Sequence, residues 1–365
     1  MILTRYLLLL ICLLWTCQGL GAVVTPSDRV TTRLNVRSAP SATAAIVGTL
    51  RPGEAALFLE DVPHWYRVRL DDGAEGFVSR AWSVKREAEY IRLGAWNLKK
   101  LGHGDAKDFS LVSQIINENF DLVAVIEVMQ KQHVHPGYDA LMQALGDGWD
   151  GLVTDTPRPN TGSGNAEYYA IAYRNSQVRP CTDWAGGLRY YPDNPGSGSA
   201  AGPDRFVREP AFACFEAGFG AGSPRVDFLL AAYHATWADG NEDEIVAEVS
   251  NLNGVFAAMA AARPEEKDLL IVGDFNLLPA ILQDTVLAAD RTEGTGSTLN
   301  SQGGRTANLY DHLLVHDEMV TSELEGNAVV LDRIGLAATA ELFYQTVSDH
   351  LPIVVRLRSA GPDDD

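Results

Sequence analysis

Eight short apolar runs between positions 89 and 359 constrain this chain more than any other feature. They read YIRLGAWNL, DLVAVIEV, YYAIAYR, PAFACFE, VDFLLAAYH, DLLIVGDF, LYDHLLV and LPIVVRL. Runs of this length, rich in β-branched and aromatic residues, predict strands buried on at least one face. Helical periodicity is scarcer. DFSLVSQIINENF places Leu111, Ile115 and Ile116 on one face, and Ile245, Val249, Leu252, Phe256 and Met259 form a stripe that predicts one long helix ending before Pro264. Strands outnumber helices and the two are interleaved. Two packed sheets with helices on the outside therefore fit better than one parallel sheet.

A different pattern precedes this. Residues 28–86 hold short strands at about ten-residue intervals, a spacing that suggests a small barrel, with turn signals at Ser38-Ala39-Pro40, Arg51-Pro52-Gly53 and Asp71-Asp72-Gly73. Residues 1–22, with one Arg and then an apolar run, read as a secretory signal peptide. Lipidation at Cys17 is an alternative that Trp15 and Thr16 fit badly. Residues 360–365 form an acidic tail. No segment after the leader is apolar enough to span a bilayer, so a secreted or periplasmic, monomeric protein is expected. Without the leader two cysteines remain, Cys181 and Cys214. In an oxidising compartment they suggest one disulfide; two buried free thiols are the other reading.

The formal charge of −19 argues against a broad basic surface for clamping nucleic acid. It leaves room for a phosphodiester substrate if a divalent cation supplies the local positive charge. The strand ends are suggestive here. Asn97, Glu127 and His234 end apolar runs, Asp274 and Asn276 follow one, and Asp311, Asp349 and His350 stand at the starts of others. Any one of these has a structural explanation, since an Asp after a strand caps turns. Together they need compensation, because unpaired buried carboxylates are costly. A hard cation bound through oxygen provides it.

The N-terminal strings LNVRSAPS, VGTLRPGE and WYRVRLDDGAEGFVS resemble the bacterial SH3 family, which implies a peptide or cell-wall ligand. A spacer that binds nothing is the alternative, and Trp65, Tyr66 and Trp82 would be ligand-facing or core accordingly. The ordered set AWNLKKLG, VAVIEV, AEYYAIAYR, FVREPAFACF, AAYHATW, IVGDFNLLP, NLYDHLLV and VSDHLPI resembles the endonuclease/exonuclease/phosphatase superfamily over residues 89–359. GDFN and SDHLP are its most specific motifs; REPA and His234 look most like deoxyribonuclease I. The resemblance implies an α+β fold, a four-layer α/β/β/α sandwich behind the small barrel. It also implies Mg2+ or Mn2+, with Ca2+ as a further candidate, and a nucleic acid substrate, with DNA expected.

Roles follow from that chemistry. Hydrolysis of a phosphodiester needs an activated water, charge neutralisation and help for the leaving oxygen. His350 is the candidate base, held by Asp311. His234 is the second acid, held by Glu167. Asp274 orients water and Asn276 donates to a phosphoryl oxygen. Glu127, Asn97 and Asp349 form the expected metal shell. Arg208 is the candidate phosphate clamp, or else a salt-bridge partner of Glu209 or Asp204, and Tyr169 is a phosphate-side candidate that could equally be core.

Where deoxyribonuclease I reads the minor groove with an Arg and a Tyr, this chain has Met129 and Asn165. Lys99, Lys100, Arg158 or Arg174 are candidate replacements. Asp193, Asn194 and Asp204 are candidate calcium ligands, although such loops are usually only solvated. Two other functions compete: a hydrolase of phospholipid or inositol phosphates, and a non-catalytic cell-wall-binding protein.

Overall fold

The computed structural model describes residues 22–52, 54–70, 73–86, 90–103, 107–159, 166–193, 205–218, 226–316 and 324–359. Apart from Ala22, the expected leader lies outside them, as do the acidic tail, Asn165, Asn194 and Asp204.

The first sheet is antiparallel and seven-stranded: β1 (Val23–Pro26), β2 (Leu34–Arg37), β3 (Ile46–Leu50), β4 (Ala56–Val62), β5 (Trp65–Arg69), β6 (Glu75–Ser79) and β7 (Ser83–Arg86). Its spatial order is 3-2-6-5-4-1-7. It curls around Val24, Val36, Leu50, Val68 and Val78. The barrel thus takes in Val23–Pro26, ahead of residue 28, because β1 pairs with both β4 and β7. Tyr66 packs edge-on against Phe58 under the Arg80 guanidinium. Trp82 is 48% exposed and lines a shallow groove with Trp65.

Fourteen further strands form the sandwich. They are β8 (Tyr90–Leu101), β9 (Leu122–Met129), β10 (Trp149–Val153), β11 (Glu167–Arg174), β12 (Val178–Pro180), β13 (Arg189–Tyr190), β14 (Ala211–Ala217), β15 (Val226–His234), β16 (Leu269–Asp274), β17 (Ala289–Asp290), β18 (Thr292–Glu293), β19 (Asp311–Val315), β20 (Leu324–Val330) and β21 (Ile353–Arg358). One sheet runs 10-11-9-8-21-20-18, the other 12-14-15-16-19-17 with β13 beside β14. The helices are α1 (Phe109–Asn119), α2 (Pro136–Leu145), α3 (Glu242–Val249), α4 (Leu252–Ala262), α5 (Pro279–Thr285) and α6 (Ala340–Thr346).

Three apolar layers hold these elements together. Between the sheets lie Ile91, Leu93, Ile126, Ile171, Phe215, Phe228 and Leu313. Outside the first sandwich sheet, α1, α2 and α6 cover Trp96, Val123, Val125 and Tyr168. Outside the second, α3 to α5 cover Leu229, Tyr233 and Ile271. This is the α/β/β/α sandwich expected from the sequence.

The long helix expected around Ile245–Met259 is instead two. Ser250 Oγ and Asn251 Nδ2 donate back to the Ala247 carbonyl, and Asn251 also reaches Glu248 O, which interrupts the helix. Glu242–Ala262 is long and apolar enough to cross a membrane by length and composition. Its stripe of Ile245, Val249, Leu252, Phe256 and Met259 is nevertheless buried against the second sheet. Cys181 and Cys214 form a disulfide with Cα atoms 5.4 Å apart, which decides between the two readings of that pair.

Candidate active site

The rim of the sandwich where β9 and β15 end and β19 and β21 begin carries the polar residues. Register explains why they meet. His234 pairs with Asp274 across parallel β15 and β16, Asp274 pairs with Asp311 across β16 and β19, and Glu167 opposes Met129 next to the end of β9. Gly273 makes the first of these pairings tight. It has φ +146°, and a Cβ there would stand 1.8 Å from the Tyr233 carbonyl oxygen.

Two imidazoles converge on one carboxylate. His350 Nδ1 lies 2.7 Å from Asp311 Oδ2, and its Nε2 lies 3.5 Å from Asp274 Oδ2. His234 Nδ1 lies 2.8 Å from Glu167 Oε2, and its Nε2 lies 3.7 Å from the same Asp274 oxygen. Each dyad crosses the sandwich, because His234 and Asp311 belong to one sheet while Glu167 belongs to the other and His350 lies in the loop that leads into its strand β21. Burial pushes the His350 imidazole down, but the charges of Asp311 and Asp274 outweigh it and raise its pKa well above the usual histidine value. His234 is also raised: burial and Arg208 oppose this, and the Glu167 carboxylate wins.

Asn97 is a strut. Its Nδ2 donates to Glu127 Oε1 and to Asp274 Oδ2, both at 3.0 Å, while its Oδ1 accepts the Lys99 N–H at 2.9 Å. The Lys100 N–H donates to Glu127 Oε2 at 2.8 Å. Burial opposes ionisation of Glu127, but the His234 charge and these donors hold its carboxyl below the usual range. Burial raises the Asp349 carboxyl, and the Glu127 charge adds to that. Asn276 has its N–H on Asp274 Oδ1 and its Nδ2 on the Ala235 carbonyl. Glu127, Lys99, Lys100 and Asn276 all have φ between +41° and +61°. Non-glycine residues in that region cost energy and cluster where the surroundings hold them for function.

A hard divalent cation fits this donor set. Glu127 and Asp349 offer only oxygen, they repel each other, and the buried Asp311 Oδ1 has no hydrogen-bond partner among the described residues.

Arg208 is a buttress here. Its Nη1 lies 3.5 Å from Glu167 Oε1, and its Nε and Nη2 donate to the carbonyls of His234 and Ala235. Glu209 pairs instead with Arg158, at 2.7 Å. Tyr169 is buried; its hydroxyl accepts the His234 N–H at 3.0 Å and donates to Arg208 O. Of the four cations offered as replacements for groove-reading residues, Arg158 is held by Glu209 and Tyr190, and Arg174 is buried at the opposite end of β11. Lys99 and Lys100 remain at the rim. Lys99 Nζ sits 3.3 Å over the Tyr344 ring and 3.9 Å from Asp349.

Sequence reasoning missed three supports. Ser348 Oγ donates to Asn97 O and accepts the His350 N–H, which joins two motif loops. The half-buried Lys107 donates to the carbonyls of Leu98, Lys99 and Val347. His312 offers Nδ1 to Asp290 and Nε2 to the carbonyls of Leu277 and Leu309. Ser348 and His312 each adjoin a proposed site residue, a legible signal; nothing around Lys107 marks it.

Comparison with known proteins bears on the family and the fold. The bacterial SH3 domain family model matches residues 32–84. A deoxyribonuclease of Thioalkalivibrio sp. (strain K90mix) is 31% identical over 280 residues, which cover 73% of this chain and 70% of that protein. Two solved structures share the fold. An endonuclease/exonuclease/phosphatase of Bacteroides vulgatus has a TM-score of 0.50 at 16% identity, covering 74% of this chain and 99% of its own. A family protein of Bacteroides thetaiotaomicron has a TM-score of 0.50 at 17% identity, covering 75% and 98%.

Proposed function

The chain belongs to the endonuclease/exonuclease/phosphatase superfamily, as a deoxyribonuclease I-like member behind a bacterial SH3 domain, and on that premise we propose that it is an exported, monomeric endonuclease that cleaves DNA with a divalent cation. The observation that carries this reading is the pair of imidazoles, each fixed by its own carboxylate and both aimed at Asp274.

His350 takes the proton from the attacking water. Asp311, on Nδ1, fixes the tautomer that leaves Nε2 facing the water and stabilises the imidazolium that forms. Asp274 positions the water between the two rings. His234 donates to the leaving oxygen, with Glu167 on Nδ1 keeping it charged until then. Asn276 steadies Asp274 through its N–H, and the amide hydrogen not given to the Ala235 carbonyl would go to a phosphoryl oxygen. Arg208 and Tyr169 act from behind His234, adding positive charge and holding the ring in place. Glu127, Asp349 and the Asn97 amide oxygen would hold Mg2+ or Mn2+, which would supply charge neutralisation on the phosphate and oppose protonation of His350. Lys99 and Lys100 take the place of the missing groove-reading arginine. The disulfide supports export to an oxidising compartment. The groove beside Trp82 is where a peptide or cell-wall ligand would lie.

The test is cleavage of supercoiled plasmid by the purified full chain with Mg2+, with Mn2+ and with chelator, beside RNA and sphingomyelin. Metal-dependent nicking of the plasmid supports the reading. Turnover of sphingomyelin without nicking transfers the site to lipid phosphodiesters, and no turnover of any substrate removes the enzyme reading.

A further inference from the structure

At the opposite end of the sandwich from the imidazoles, a cleft of about 1200 Å³ separates the barrel from the sandwich. The two ends are far apart. Along β11, Glu167 stands at the catalytic rim and Arg174 at this base, a span of roughly 20 Å at strand rise. The cleft is basic, although the chain as a whole is strongly acidic. Six Lys and Arg side chains line it against four Asp and Glu.

Three guanidiniums from three elements meet on one acid in its floor. Arg92 clasps Asp121 through Nε and Nη2, Arg174 Nε lies 3.3 Å from Asp121 Oδ1, and Arg86 Nη1 lies 3.8 Å from it. Carbonyls at the end of α1 take further donors. Arg86 and Arg174 both reach Asn117 O, and Arg92 reaches Glu118 O and Phe120 O. Charge is still left over. Burial lowers Arg86 to about 9, and the neighbouring Arg174 and Arg92 push the same way against the pull of Asp121 and Asp28, so three cations face two acids. Beside them Gln177 is fully buried and lines the cleft, and neither its Oε1 nor its Nε2 has a hydrogen-bond partner among the described residues. One buried and two half-buried cations that outnumber their counter-charges, next to an unpartnered amide, describe half of a binding site.

We propose that this interdomain cleft binds a phosphate-bearing ligand of nucleotide size, held by Arg86, Arg174 and Gln177. A phosphate matches the arrangement because it presents three oxygens to several forks at once, whereas Asp121 and Asp28 already supply the carboxylates. The volume exceeds what a lone inorganic ion needs and suits a nucleotide. The ligand is either a free nucleotide or the phosphorylated end of cleaved DNA; both carry the same group. The cleft makes no use of the catalytic residues, so the proposal stands whatever the rim cleaves.

The experiment is calorimetric titration of the full chain in chelator with thymidine 5′-phosphate, with a 5′-phosphorylated tetranucleotide, and with a diacidic peptide. One site is expected for a phosphorylated probe. Tighter binding of the mononucleotide identifies the free nucleotide, and tighter binding of the tetranucleotide identifies the DNA end. Arg86→Gln should weaken binding at least tenfold and Gln177→Leu severalfold, with metal-dependent activity at the rim unchanged and His350→Ala binding as tightly as the parent. Gln177→Leu replaces an unpartnered amide with an apolar group of similar size, so it keeps the fold and carries the test if Arg86→Gln does not fold. Binding of neither phosphate probe, binding of the peptide alone, affinity unchanged in Gln177→Leu, or affinity lost in His350→Ala would each overturn the proposal.

Discussion

His312 shows how much a single side chain can reveal once its neighbours are known. Both of its ring nitrogens face acceptors, so the buried ring is held as the imidazolium beside Asp290. Burial pushes its pKa down, but the bond to Asp290 and that residue's charge win, and the value is raised. A raised folded value means the stabilisation is complete below the unfolded pKa of about 6.5 and is lost as pH climbs through the folded one. His312→Gln should therefore cost about 3 kcal/mol at pH 5.5, the scale of a broken buried pair, and less at pH 9. Urea unfolding at the two pH values checks this; an equal loss at both would show that the ring is neutral. At the rim, Asp311→Asn and Glu167→Gln should each slow plasmid nicking by roughly 10²–10⁴-fold, the range for losing a proton-transfer group or its tautomer control, with little change in melting temperature. Rates within twofold of the parent would remove the orienting role.

Among the elements, the Cys181–Cys214 bridge closes 33 residues of chain between β12 and β14. Loop-closure entropy gives it about 3–4 kcal/mol. A Cys181→Ser, Cys214→Ser double variant should lose that much in denaturant unfolding and keep its nicking rate. Strands with continuous apolar character, such as β9, β15 and β16, were legible in the sequence because both of their faces are buried and every residue carries the signal. β13, β17 and β18 are two residues long and exist only through pairing, which no local pattern records. The helix over 242–262 failed for a related reason. Its apolar stripe is continuous, and the interruption lies in where two small polar side chains send their hydrogen bonds. Site residues were legible as types at strand ends. Their partners were legible through the motif resemblance, while the inward turn of Arg208 depends on carbonyls that only register supplies.

At the scale of the whole molecule, the barrel sits far from the imidazoles. Val23 and Ala55 pack against the base of the inter-sheet core, and Arg86 reaches Asn117 across the cleft. Removing residues 22–86 should leave the plasmid nicking rate within about twofold, since no rim contact is lost. It should also lower the melting temperature by a few degrees, since ~1 kcal/mol moves a domain of this size by 2–4 °C. A tenfold drop in rate would show that the barrel feeds substrate to the rim.

β21, which follows His350 by three residues, is the last strand among the described residues, yet it lies mid-sheet between β8 and β20. The His350 ring therefore meets Asp311 only when both halves of the sandwich have closed on each other.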